Sequence, residues 1–226
     1  VFGGTWNDEA SAVRQTSDGG YILAGDTMSP SGGDTTDAWL LKTDGDGNEE
    51  WSASFGGAGI DMARDVLQSD DGGYVFTGLT NSSGEGFSDF WMVKTDPEGN
   101  QEWETTFGGL PRETAHAISR TCDGGYVMAG WTESFPPGDH FLLVKVDDEG
   151  NLVWDQTLGE SAGAYAVQET QDGGYILAGW TGTLFGSRDF LLLKTGPDCD
   201  VPATAPAVAV LENTGPSPIS AAAVGF

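Results

Sequence analysis

The chain carries 9 Lys+Arg against 35 Asp+Glu over 226 residues, a formal net charge of -26. Such a balance repels phosphate backbones and anionic lipid surfaces, which excludes nucleic acid as a partner, and no run of about twenty apolar residues is present to form a membrane span. The acidity suits a solvated extracellular surface, a high-salt habitat or capture of divalent cations, and composition leaves the three open.

The chain opens at Val1-Phe2-Gly3-Gly4, which aligns with the middle of a repeat, as expected of a processed secreted protein. The repeat declares itself through one phrase. Asp-Gly-Gly-Tyr occurs with its aspartate at Asp18, Asp71, Asp123 and Asp172, spaced 53, 52 and 49 residues apart. A period near fifty with glycine-rich turns points to propeller blades. Asp-Gly-Gly reads as a tight hairpin turn, because glycine tolerates positive φ and the aspartate accepts hydrogen bonds from the turn's own amides. It joins a first strand to an apolar second strand such as Ile22-Leu23-Ala24-Gly25, closed each time by a threonine at Thr27, Thr80, Thr132 or Thr181.

A variable Ser/Gly-rich loop comes next, followed by a third strand typified by Trp39-Leu40-Leu41-Lys42 and Trp91-Met92-Val93-Lys94. Nearly continuous apolar runs imply burial on both faces, as stacked blades provide, and the recurrent lysine is expected where the strand leaves for solvent. A second turn, Asp44-Gly45-Asp46-Gly47-Asn48 in the first repeat, leads into a fourth strand holding Trp51 and Phe55, Trp103 and Phe107, or Trp154 and Leu158. Four residues apart in a strand, each pair lies on one face and packs as core.

These motifs together, from the Asp-Gly-Gly-Tyr hairpin to Trp-x-x-x-Phe-Gly-Gly, resemble the DGGY-type β-propeller repeats of archaeal and bacterial cell-surface proteins, and more distantly PQQ-type propellers. The resemblance covers about residues 1 to 197 and implies an all-β, four-bladed β-propeller of four-stranded antiparallel blades. It does not imply a function, since propellers serve as binding, scaffolding and enzymatic modules alike. The cofactor-binding funnel of enzymatic PQQ-type propellers has no match here.

The fourth repeat breaks the pattern. After Lys194 no Trp-bearing strand follows, and the N-terminal Val1-Phe2-Gly3-Gly4 is expected to complete that blade by strand borrowing, which removes exposed edges. Residues 198–226 form a Pro/Ala-rich, extended C-terminal tail. Within it Ala207, Val208, Val210 and Leu211 have strand character, and Ile219 to Phe226 form an apolar end that avoids water. The tail is expected either to pack on its own last blade or to dock on another copy, giving a homo-oligomer or polymer.

Candidate sites are few. Asp44, Asp46 and Asn48 have the alternate-residue oxygen spacing of a calcium loop but lack its distal glutamate, so a plain turn competes with a Ca²⁺ site, and no other cofactor is implied. Asp8, Asp61 and Glu113 precede the first strands and are expected to cap loop backbone. His116 and His140 have no nucleophile at motif spacing, and the chain is read as a non-enzyme. Cys122 and Cys199 fall at the same end of the propeller and are expected to form a disulfide in an oxidising compartment. Asn81-Ser82-Ser83 is an N-glycosylation sequon in a surface loop. The function expected is structural or adhesive at the cell exterior. The alternative is a monomeric module that recognises a glycan or protein through the variable loops 29–36, 81–88, 133–138 and 183–188.

Overall fold

A computed structural model describes residues 1–28, 35–134, 138–159, 161–182 and 188–198, with backbone strands at 208–212 and 220–223. The protein is all-β, with no helix among the described residues. The first sheet contains β1 (Asp8–Gln15), β2 (Tyr21–Thr27), β3 (Asp37–Thr43) and β4 (Glu49–Phe55). The second contains β5 (Asp61–Gln68), β6 (Tyr74–Thr80), β7 (Asp89–Thr95) and β8 (Gln101–Phe107). The third contains β9 (Glu113–Arg120), β10 (Tyr126–Thr132), β11 (His140–Val146) and β12 (Leu152–Leu158). The fourth contains β13 (Ala162–Glu169), β14 (Tyr175–Gly182) and β15 (Arg188–Thr195), extended by two short strands, β16 (Val208–Glu212) and β17 (Ser220–Ala223). Each sheet runs in chain order, so every neighbour is joined by a local connection. The chain divides into two compact units, Val1–His116 and Ala117–Phe226.

The Asp-Gly-Gly hairpin forms as its composition requires. Gly19 takes φ +89, Thr16 N–H donates to Gly20 C=O at 2.9 Å, and Asp18 Oδ1 accepts Gly20 N–H at 2.9 Å. A second glycine rule was hidden in the small residues that end each second strand. The first strands bulge between Ala10 and Ala12, Ala63 and Asp65, and Ala164 and Ala166. The bulge drives a carbonyl against the partner strand. A Cβ on Gly25, Gly78 or Gly179 would stand 1.9 Å from Glu9 O, 1.8 Å from Met62 O or 2.0 Å from Gly163 O, so only glycine fits.

The sheets pack face to face within each unit. Ile22, Ala24, Ala38 and Leu40 of the first sheet cluster with Ala63, Val66, Phe76, Trp91 and Val93 of the second. Phe55 tilts onto Phe76 at 5.2 Å between ring centroids, and Trp51 onto Tyr74 at 5.6 Å. In the other unit Val127, Ala129, Phe141 and Leu143 cluster with Ala164, Val167, Leu177 and Leu193. In both interfaces the first strand of the later sheet, β5 or β13, crosses the second and third strands of the earlier one.

The place beside β15 that the N-terminus was expected to fill is occupied by β16, through Leu193↔Val210, Lys194↔Ala209 and Thr195↔Val208. Residues 1–4 carry no strand. A short β-prone segment close behind β15 in sequence reaches that edge with less loop closure than a distant terminus.

Gly78→Ala is expected to cost about 2–3 kcal/mol in urea unfolding, since backbone rather than a flexible side chain must move. Gly72→Ala, whose Cβ meets only the Pro97 ring at 3.7 Å and which is strained in φ alone, should cost about 1 kcal/mol. Equal losses would show that the bulge yields.

Candidate functional site

The repeat's lysine does not exit to solvent. Lys42, Lys94 and Lys145 are buried to 3%, 6% and 2% exposure, and each ammonium is held between carboxylates. Lys42 Nζ donates to Asp18 Oδ2 at 2.9 Å, Glu50 Oε2 at 2.7 Å and Thr43 C=O at 2.9 Å. Lys94 donates to Asp71 Oδ2 at 2.5 Å and to Glu102. In the third sheet Val153 stands where Glu50 and Glu102 stand, and the second carboxylate comes instead from Asp198, 2.5 Å from Lys145, beside Asp123 at 2.7 Å. Lys194 pairs with Asp172 at 3.0 Å and with Thr195 C=O at 2.6 Å. In the first two sheets the third strand, the fourth strand and the hairpin turn are thereby fastened at one end.

The titration of these groups follows from that pairing. Burial works to lower the pKa of Lys42, Lys94 and Lys145, and the carboxylates overcome it, leaving all three above the ordinary value. Asp18 is pushed well below the carboxylate range by the Thr16 hydroxyl and then by Lys42. For Asp71, burial opposes ionisation, yet the bonds from Lys94 and Ser69 hold its pKa at about 2.

Asp198 was assigned to the tail and belongs to the folded body. It is buried, its amide donates to Gly173 C=O at 2.8 Å, and its carboxylate accepts Trp154 Nε1–H at 3.2 Å and Tyr175 O–H at 2.9 Å. Burial and this carboxylate push the Tyr175 pKa up.

The acids that open the first strands cap the preceding glycine loops. Gly4 N–H donates to Asp8 at 2.7 Å, Gly57 N–H to Asp61 at 2.8 Å and Gly109 N–H to Glu113 at 3.3 Å. The closing threonines answer them: Thr27 donates to Asp8, and Thr80 to Asp61 at 2.5 Å. Beside Glu113 lies Asp89, buried at 3% exposure, whose pKa is pushed up to about 6 by burial and then by the Glu113 charge. Sequence periodicity did not reveal this carboxyl pair, because the two residues lie on different strands.

The remaining sites divide sharply. Asp44 Oδ1 accepts the amides of Asp46 at 2.9 Å and Asn48 at 2.8 Å, and its Oδ2 accepts Asn48 Nδ2 at 2.8 Å, so both oxygens serve the turn. Among the described residues, the group with carboxylates close enough to share a cation is Asp147, Asp148 and Glu149, within 4.8 Å of one another and largely exposed. Asn81 is exposed while its Oδ1 accepts Ile60 N–H, and Ser82 Oγ donates to Asp61 at 2.6 Å, so the sequon also clasps its loop. His116 is held neutral, its pKa lowered to about 4 by burial and by the Arg64 charge. His140 Nδ1 bonds Gly159 C=O. Cys122 is disulfide-bonded, whereas Cys199, Ala207, Ile219, Phe226 and much of the loops 29–36, 133–138 and 183–188 lie outside the described residues. Val208, Val210 and Leu211 are described only as backbone of β16.

Two sheet faces are exposed among the described residues. On the fourth sheet Phe190 is 80% exposed, beside Tyr165 at 53%, with the Arg188 guanidinium 3.8 Å over the Trp180 ring. On the first sheet Val13 of β1 is 54% exposed, and a concavity of about 140 Å³ is lined by Phe2, Ala10, Leu23, Trp39 and Leu41 among others. The repeat gave no sign of either, because the same residue types occupy the buried copies.

No family model and no curated protein matches the chain. Among solved structures it is similar in fold to a protein of unknown function from Bacteroides caccae, at 15% identity and a TM-score of 0.52 over 84% of this chain. The match covers 64% of that protein's chain, under two thirds of its length. At this identity the likeness concerns the fold alone.

Removing both acids around Lys94, by Asp71→Asn with Glu102→Gln, leaves a buried ammonium without a counter-charge and should cost about 3 kcal/mol or more in urea unfolding. Lys94→Met leaves half-exposed carboxylates that water re-solvates and should cost about 1 kcal/mol. Equal costs would mean that the lysine is not the desolvated partner. For Asp89, a folded pKa raised above the unfolded value of ~3.9 means that ionisation opposes folding, so its destabilisation grows as pH rises from about 4 to about 6. Asp89→Asn is therefore expected to raise Tm at pH 7 and leave it unchanged near pH 4. A lower Tm at pH 7 would instead show that the charge itself holds the loop.

Proposed function

We propose that the chain is an extracellular structural protein of the cell-surface propeller-repeat kind, its sheets acting as blades, and that it assembles with copies of itself by passing its C-terminal strand from one copy to the next. The observation that carries this reading is the edge of β15. There β16 is held by three register pairs, whereas the fourth strands β4, β8 and β12 are each held by six. Opposite Lys42, Lys94 and Lys145 those strands place Trp51, Trp103 and Trp154, while β16 places Ala209 opposite Lys194. A short strand on a long connector exchanges readily, because the neighbour's edge offers the same backbone hydrogen bonds. The disulfide at Cys122 suits an oxidising exterior. The buried lysines and the acids around them are engaged with one another as scaffold, which supports structure over catalysis.

Light scattering on the full chain, on a chain ending at Val201 and on full-length Val210→Pro tests this. Assemblies that shrink in both variants are expected, since proline removes a ladder donor. Assemblies of undiminished size in both would overturn strand exchange. A monomer throughout would move the assignment to ligand recognition by the variable loops.

A further inference from the structure

The two exposed faces correspond, position by position, to faces that this chain buries against each other elsewhere. Counting back from the repeat's lysine, Phe190 of β15 occupies the place of Ala38 in β3 and Phe141 in β11, both 0% exposed. Ala38 is buried under the second sheet and Phe141 under the fourth. On the receiving side, Val13 of β1 occupies the place of Val66 and Val167, exposed to 0% and 9%. Among the described residues the fourth sheet therefore presents an exposed donor face, and the first sheet an exposed receiver face.

The match extends to shape. Phe141 clusters with Ala164, Leu177, Leu191 and Leu193. The residues at those places in the first sheet are Ala10, Leu23, Trp39 and Leu41, and these four line the 140 Å³ concavity. The hole that receives Phe141 in one interface thus has an open counterpart, and the knob that fills it has an exposed counterpart in Phe190. Charge agrees as well. In the internal interfaces the carbonyls of Thr36 and Asp139 accept the amides of Asp61 and Ala162, at 2.8 and 2.9 Å. The residues at those places on the open faces are Arg188 and Asp8, a cation and an anion.

We infer that the open face of the fourth sheet docks the first sheet of a second copy of this chain, Phe190 entering the concavity beside β1 and Arg188 meeting Asp8. The contact is head to tail, using two different surfaces. It rests on the self-assembling reading above but uses a different part of the molecule from the tail.

The test is sedimentation equilibrium of full-length Val210→Pro, in which strand exchange is disabled, at ~1 M salt, where the Debye length is ~3 Å and the acidic copies no longer repel at range. Reversible self-association is expected. Phe190→Asp and Val13→Asp should each weaken it at least tenfold while leaving Tm unchanged, since both side chains face water in the isolated chain. An equimolar mixture of the two variants should recover association and stop at a dimer, because each retains one intact and complementary face. If Phe190→Asp lowers Tm, Arg188→Glu takes its place. A monomer at every concentration, association indifferent to both variants, or sensitivity to only one of them would each overturn the proposal. Placed instead in the unaltered chain, Phe190→Asp and Val13→Asp keep the tail and leave strand exchange alone, whereas face docking alone survives in Val210→Pro.

Discussion

In each of the first three sheets a lysine ammonium is taken out of water, and the turn beside it is built to receive that charge. A buried cation is tolerated only when carboxylates surround it at hydrogen-bond distance. The Asp-Gly-Gly hairpin delivers one of them. Asp18 is aimed by its own turn, accepting Gly20 N–H and the Thr16 hydroxyl, and its second oxygen is left for Lys42. Gly20 serves the same end: a Cβ there would lie 2.1 Å from Thr43 O and 2.8 Å from Lys42 Nζ. The phrase that marks the repeat is therefore a cation receptor as well as a turn. All four lysines of the chain occupy this one position.

The third sheet shows how strict the requirement is. With Val153 in place of an acid, Lys145 recruits Asp198 from beyond β15, and that residue also gathers Trp154 and Tyr175. One substitution in β12 is compensated by a residue more than forty positions later. In the fourth sheet Lys194 has Asp172 as its carboxylate partner and remains partly exposed, at the edge where β16 is only lightly held. Charge pairing and edge pairing thus weaken together in the same sheet.

Elsewhere the acids act locally. Asp8, Asp61 and Glu113 neutralise loop amides, and the oxygens of Asp8 and Asp61 are shared with threonines that close the second strands. Asp89 lies against Glu113, where a second buried carboxylate raises the cost of ionisation. The same repeat position therefore carries different electrostatics in different sheets. Apolar positions behave likewise, since Phe141 and Phe190 are the same residue in the same place of the repeat and differ only in what covers them.

By itself the sequence determined the period, the all-β class, the two hairpin turns, the order of strands within the first three sheets and the capping role of Asp8, Asp61 and Glu113. Each of these is local: glycine marks positive φ, aspartate binds amides two to four residues away, and apolar runs mark buried strands. Tertiary structure alone decided that the lysines turn inward, that Asp198 joins the body, that Gly78 admits the Met62 carbonyl and that Asp89 meets Glu113. It also decided which copy of a repeated face is exposed, as at Phe190 and Val13. Those outcomes depend on groups brought together from distant positions, and a repeat that writes the same residues into every sheet does not show which of them will find a partner.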